Sequence, residues 1–216
     1  MQLKDKKVVI IGDSITEGVG ASSVENAYPS VLARISGATV YNYGVGGTRY
    51  AYQTQEFENK FKESFAERIH RIQEDPDIIL IFGGTNDFGH GDAPFGCDDD
   101  REPTTYCGAC HYIYSTLLQK YPSSRIVVLT PLHRISENSK VKEIRNIPTL
   151  PLESYVETQK RIAKYYSIPV IDLFAISGIQ PAVQVIREKY MPDGLHPSDA
   201  GAQRLAQVIY AQLCSL

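Results

Sequence analysis

Apolar positions along this chain fall into two patterns. Short unbroken runs alternate with longer stretches in which they recur every three or four residues. Val8-Val9-Ile10-Ile11 is continuous and β-branched, and Ile78 to Phe82 is the longest purely apolar run. Such runs read as strands covered on both faces, as in a parallel sheet. Ala38 to Tyr43, Arg125 to Thr130 and Pro169 to Phe174 read as three further strands. A short helix is predicted over Asn26 to Ser36, with Asn26 as its cap, Pro29 in its first turn, and Tyr28, Val31, Leu32 and Ile35 on one face. Phe57, Phe61, Phe65, Ile69 and Ile72 predict an amphipathic helix over Gln55 to Glu74, whose aromatic residues pack the core. Helices are also predicted over Tyr106 to Tyr121, Pro151 to Tyr166 and Pro181 to Lys189. Ser198 caps a final helix that turns Ala202, Leu205, Ile209 and Leu213 toward the sheet.

Strands that alternate with helices imply a parallel sheet between two helical layers. The expected fold class is a three-layer α/β/α arrangement with five parallel strands. There is no internal repeat and no interdomain linker. A chain of 216 residues suits one domain spanning 1–216. Two polar, irregular stretches interrupt the alternation, near 88–105 and 132–150. Long loops of this kind tend to be lids or binding loops.

Composition narrows the class. Hydrophobic residues make up 43% and charged residues 22%, so the chain folds. The net charge of −3, with no Lys/Arg stripe, argues against nucleic acid as a partner. No apolar run is long enough for a membrane span. The first strand begins almost at once, which leaves no room for a signal peptide and leads to the expectation of a cytoplasmic protein. In that compartment Cys97, Cys107, Cys110 and Cys214 are reduced thiols or metal ligands.

Candidate chemistry gathers where strands end. The first strand stops at Gly12, and Asp13-Ser14 follow. The second ends in Asn42-Tyr43-Gly44-Val45-Gly46-Gly47-Thr48, and the third in Gly83-Gly84-Thr85-Asn86-Asp87. In a parallel sheet these turns share one edge. With the flavodoxin-like order 2-1-3-4-5 they are neighbours, and Ser14, Gly47 and Asn86 converge. Ser14 is either a nucleophile or a helix-capping serine. A nucleophilic serine needs a base. Asp193 and His196, three apart in a Pro/Gly-bounded turn, supply one, because a carboxylate on Nδ1 leaves Nε2 facing outward.

Gly12-Asp13-Ser14, Asn42 to Thr48, Gly84-Thr85-Asn86-Asp87 and Asp193-Gly194-Leu195-His196-Pro197 resemble, in order, the four blocks of the SGNH hydrolases, the GDSL-type esterases and lipases. The resemblance implies the same five-stranded fold. It implies Ser14 as nucleophile, His196 as general base and then acid, and Asp193 as its orienting partner. The oxyanion hole is implied to comprise the backbone N–H groups of Ser14 and Gly47 and the side-chain amide of Asn86, with adjacent Gly46 the rival for the second donor. Such a site needs no cofactor and no metal. The expected partner is a small-molecule ester.

Other residues have plainer readings. Asp13, Asn42, Thr85 and Asp87 are expected to fix turns. His133, after the fourth strand, is the rival base and a candidate substrate contact. Cys107-Gly108-Ala109-Cys110-His111 matches a haem-attachment motif literally, but nothing else supports haem. Cys97, Cys107, Cys110 and His111 are an alternative structural zinc set, ranked below unligated thiols. The function expected is hydrolysis of a carboxylic ester with a small acyl group, such as deacetylation of a carbohydrate. Lysophospholipid or thioester hydrolysis and a non-catalytic binding module are the alternatives. A phosphate-binding flavodoxin-like protein is disfavoured because the first turn lacks G-x-G-x-x-G and carries Glu17.

Overall fold

A computed structural model describes residues 2–53, 63–143 and 147–216. Its centre is a five-stranded parallel sheet. The strands are β1 (Lys7–Gly12), β2 (Thr39–Gly44), β3 (Ile78–Phe82), β4 (Arg125–Leu129) and β5 (Val170–Ile171), in the order β2-β1-β3-β4-β5. This is the expected order. The run from Pro169 to Phe174 gives only a two-residue strand, because Asp172 stops it. The Asp172 side chain accepts from Ala175 N–H and caps a single helical turn, α7 (Leu173–Ile176).

The apolar runs sort by parity, as side chains on a strand must. Val9, Ile11, Ile79, Ile81 and Val128 face one layer; Val8, Ile10, Ile78, Leu80, Val127 and Leu129 face the other. The first layer contains α3 (Phe65–Arg68), α5 (Tyr106–Lys120) and α6 (Leu152–Tyr165) and is rich in aromatic residues. The second is mainly aliphatic and contains α2 (Tyr28–Ser36) and α9 (Asp199–Ser215). Ser198 caps α9 by accepting from Gly201 N–H, and Ala202, Leu205, Ile209 and Leu213 are buried beneath it. A short α8 (Gln184–Tyr190) precedes it.

Three local expectations need correction. Asn26 does not cap α2; Ala27 occupies that position, and the Asn26 amide instead donates to Ser22 Oγ and Asp199. Ile35 lies on the exposed side of α2. The long helix over Gln55 to Glu74 is replaced, within the described residues, by a short one starting at Phe65. Ser64 and Glu67 form a capping box there, which sets a helix start. Phe65, Ile69 and Ile72 are core residues as expected; Phe57 and Phe61 lie outside the described residues.

The register places the functional edge. Gly12 pairs with Gly44 on one side and with Phe82 on the other, so β1, β2 and β3 end at the same level. The turns that leave those three ends therefore lie side by side. Gly44 is required here by contact, because a Cβ would collide with the backbone of Thr16 and Glu17 in α1 (Ser14–Glu17).

Candidate active site

The turn after β1 has a division of labour. Asp13 is the cap of α1, its Oδ1 accepting from Ile15 N–H at 3.0 Å. Capping therefore falls to Asp13 and frees Ser14, whose Oγ lies 3.0 Å from His196 Nε2. Ser14 is only 8% exposed but lines an open cleft of about 280 Å³. His196 Nδ1 lies 2.7 Å from Asp193 Oδ2, while Asp193 Oδ1 accepts from the backbone N–H groups of Leu195 (2.9 Å) and His196 (2.7 Å). Burial pushes the Asp193 carboxyl upward, but those donors and the imidazole outweigh it and hold it below the ordinary carboxylate value. The carboxylate is thus ionised, with both oxygens engaged, and it fixes the ring that faces Ser14.

The turn after β2 is tied down by Asn42, which donates to Thr16 C=O (2.8 Å) and accepts from Gly44 N–H (2.8 Å). Gly46 N–H donates to Glu17 Oε2 at 2.9 Å. Gly47 follows with φ at 74°, left-handed backbone that suits glycine. Arg68 grips these turns from below, donating to Gly12 C=O (3.0 Å), Thr48 Oγ1 (2.9 Å) and Tyr43 C=O. The turn after β3 opens α4 (Thr85–Gly89). Asn86 is 4% exposed and lines the cleft. Asp87 turns away and accepts from Tyr50 N–H and Ala51 N–H. Burial raises its carboxyl to about 6.

Of the sequence candidates, Ser14, Gly47, Asn86 and His196 line one cleft, with Asp193 behind His196. His133 is not among them. Its Nδ1 bonds Glu137 Oε2 at 2.7 Å and its ring stacks on Phe174 with centroids 3.7 Å apart, so its contacts are structural. The cysteine set does not converge either. Cys107 and Cys110 are buried in the aromatic core, Cys97 Sγ faces Asp100, and His111 bonds the Tyr166 hydroxyl. Among the described residues no group of three or more His, Cys, Asp or Glu side chains is placed to hold a metal. No helix among them is long and apolar enough to cross a membrane.

The profile of the GDSL-like lipase/acylhydrolase family matches residues 10–204. The chain belongs to that family. This GDSL-like chain is 24% identical over 224 aligned positions to an acetylxylan esterase from Xylanibacter ruminicola, covering 96% of the chain and 43% of the esterase. It therefore spans less than half the length of that curated relative. A solved structure from Lactobacillus plantarum is 26% identical, covers 98% of each chain and superposes with a TM-score of 0.83. The lipase/acylhydrolase of Enterococcus faecalis shares the fold at 22% identity, with a TM-score of 0.67 and coverage of 97% of this chain and 96% of its own.

Four cleft residues of this GDSL-like chain with polar side chains are not singled out as site residues by the sequence: Glu17, His90, Arg134 and Glu143. Arg134 is 5% exposed, donates to Thr85, pairs with Glu143 and stacks on Phe88. The only signals were spacings, Glu17 three residues after Ser14 and His90 four after Asn86. A larger cleft of about 410 Å³ lies between the two insertions against Phe95 and Tyr155, and Ser14 does not line it.

Proposed function

We propose that this chain is a serine esterase acting on carboxylic esters with small acyl groups, through an acyl-Ser14 intermediate. The observation that carries this is the hydrogen-bonded relay from Ser14 Oγ through His196 to Asp193, at a cleft also lined by Gly47 and Asn86. His196 Nε2 removes the Ser14 proton as Oγ attacks the ester carbonyl. The oxyanion that forms is met by the N–H groups of Ser14 and Gly47 and by Asn86 Nδ2. Gly46 is the weaker choice as second donor, since its N–H is already given to Glu17. His196 then protonates the departing alcohol, activates a water, and the acyl group leaves as a carboxylic acid. Donors held in place before reaction stabilise the charge without reorganisation, each worth about 10²–10³ in kcat.

Small acyl groups and polar alcohols, as in carbohydrate deacetylation, are favoured by the wall chemistry. Among the described residues, Glu17, His90, Arg134 and Glu143 line the cleft beside Ser14, and Val19 and Leu195 add aliphatic side chains. A lysophospholipid or thioester chain of many methylenes would meet two aliphatic side chains there, Val19 and Leu195, among four polar ones. The name of the acetylxylan esterase relative points the same way.

The test is the initial rate of p-nitrophenyl acetate hydrolysis by the wild type and by Ser14→Ala, both shown to be folded. A loss of about 10⁴–10⁶ in kcat is expected. Equal rates would refute the serine assignment. No reaction in either, together with no fluorophosphonate labelling of Ser14, would favour a binding module on the same fold. Among p-nitrophenyl esters of increasing length the rate is expected to peak at acetate or propionate. A peak at eight carbons or more would overturn the small-acyl reading.

A further inference from the structure

Asn86 differs from the other two proposed oxyanion donors in one respect. Their direction is set by the backbone, whereas a side-chain amide can turn and can also flip end for end. Its neighbours decide which end faces where. One neighbour is unambiguous. The carbonyl of Thr48 can only accept, and it accepts a hydrogen bond from Asn86 Nδ2–H at 3.0 Å. The oxygen end, Oδ1, then lies 3.0 Å from Nε2 of His90. For that contact to be a hydrogen bond, Nε2 must carry the proton.

The surroundings of His90 agree with that tautomer. Its Nδ1 is buried and has no hydrogen-bond partner among the described residues, as suits a bare lone pair rather than an N–H. Burial, reinforced by nearby Arg49 and Arg134, lowers the imidazole to about 4, with Glu143 opposing and Lys142 adding to the shift. The ring is therefore neutral at ordinary pH. The link is also local. His90 follows one turn after Asn86, and its backbone N–H donates to Asn86 C=O at 2.9 Å, so α4 brings the two side chains together.

We infer that His90 is a positioning residue for the esterase reaction: its Nε2–H holds Asn86 Oδ1, so that the second Nδ2 proton is presented to the substrate oxyanion. The inference rests on the esterase reading given above. Without His90, Oδ1 loses its donor and the amide is held at one end only. It can then rotate away from the cleft or offer its oxygen to a developing negative charge. The ground-state substrate does not depend on that donor as the transition state does, so the loss falls on kcat rather than KM.

The experiment measures kcat and KM for p-nitrophenyl acetate in the wild type, Ser14→Ala, His90→Leu, His90→Gln, Asn86→Ala and the His90→Leu/Asn86→Ala double variant. His90→Leu is expected to lower kcat about 10–100-fold, with KM within about twofold of the wild type. Glutamine carries an amide nitrogen near the place of Nε2, so His90→Gln is expected to recover kcat to within about threefold. In the Asn86→Ala background the leucine substitution is expected to cost less than about twofold, because the group it acts through is gone. Wild-type kcat in His90→Leu, equal losses in both backgrounds, or no recovery with glutamine would each overturn the inference. If His90→Leu does not fold, His90→Asn replaces it; that amide is too short to reach Oδ1, so full activity there would equally overturn the proposal. Failure of the esterase reading looks different: wild type and Ser14→Ala would then be indistinguishable, and both proposals would fall together.

Discussion

The two walls of the cleft are built by opposite means. On the Ser14–His196 wall many of the fixing contacts are made within three residues. Asp13 caps Ile15, and Asp193 accepts from Leu195 and His196 while also holding the His196 ring. The longer-range ties are the Ser14–His196 contact itself, Arg68 on Gly12 C=O, Asn42 on Thr16 C=O and Ile135 N–H on Gly194 C=O. On the Asn86 wall the fixing contacts are mostly distant. Asn86 reaches Thr48, Arg134 reaches Thr85 and Glu143, and Lys142 donates to Asp87 C=O. Short-range turns can be kept by a few residues in sequence. A wall made of long-range contacts depends on the insertion after β4 being seated.

The comparison is broken most severely at Asp193. Asp193→Asn leaves the turn near its present shape but permits the wrong imidazole tautomer, and kcat is expected to fall about 10⁴-fold in an ester-hydrolysis assay. A fall of less than about tenfold would mean that the half-exposed carboxylate, with 55% of its side chain accessible, is dispensable. On the other wall Asn86→Ala is expected to cost about 10²–10³ in kcat. The wall that carries the proposed nucleophile and base should thus prove more sensitive than the wall that carries a proposed donor.

The walls meet beneath the cleft, where Asp87 lies near enough to Asp13 to raise its carboxyl. Burial, with Asp87 nearby, lifts the Asp13 carboxyl from 3.8 to about 7, against the pull of Ile15 N–H and Arg68. Between those two values the folded chain holds a proton that the unfolded chain has released. Stability from this group is therefore present at low pH and is lost as pH rises toward 7. Urea unfolding of wild type and Asp13→Asn at about pH 5 and about pH 8 should show the gap moving in favour of the asparagine variant by about 2 kcal/mol. A gap that does not move with pH would show that Asp13 is ionised throughout. The smallest effect is expected at Arg134. Arg134→Ala should lower stability by about 1 kcal/mol, read as a shifted urea midpoint, with a several-fold loss of activity. If activity falls without any change in stability, Arg134 touches substrate.

The sequence made the first wall and the sheet legible, and the reasons are physical. Doubly covered strands must be apolar throughout, so Val8 to Ile11 and Ile78 to Phe82 announce themselves. Turn residues such as Asp13 and Asn42 act on their own neighbours and were read as such. The pairing of His196 with Asp193 follows from a spacing of three. What stayed hidden depends on partners far along the chain. His133 follows a strand end as Ser14 does, but Glu137 and Phe174 draw it aside. Cys107 and Cys110 have metal-ligand spacing, yet the helix they sit on turns both into the core. Arg134 carries no periodic or motif signal at all, because its partners are Thr85 at the start of α4 and Glu143 further along its own irregular insertion. The start of α3 was missed for another reason. The Ser64…Glu67 capping signal was present, but the aromatic period running through it suggested a longer helix.

The Ser14–His196 bond joins residues 182 positions apart. His196 lies two residues before Ser198, which caps α9, and α9 is seated against the aliphatic face of the sheet. Most of the chain must therefore be synthesised before Ser14 can meet its proposed base. Until then the Ser14 hydroxyl has no imidazole beside it and is an ordinary alcohol. The proposed ester turnover is thus expected to report on folding as well. A preparation in which α9 has not docked would contain Ser14 without its proposed base and is expected to hydrolyse nothing.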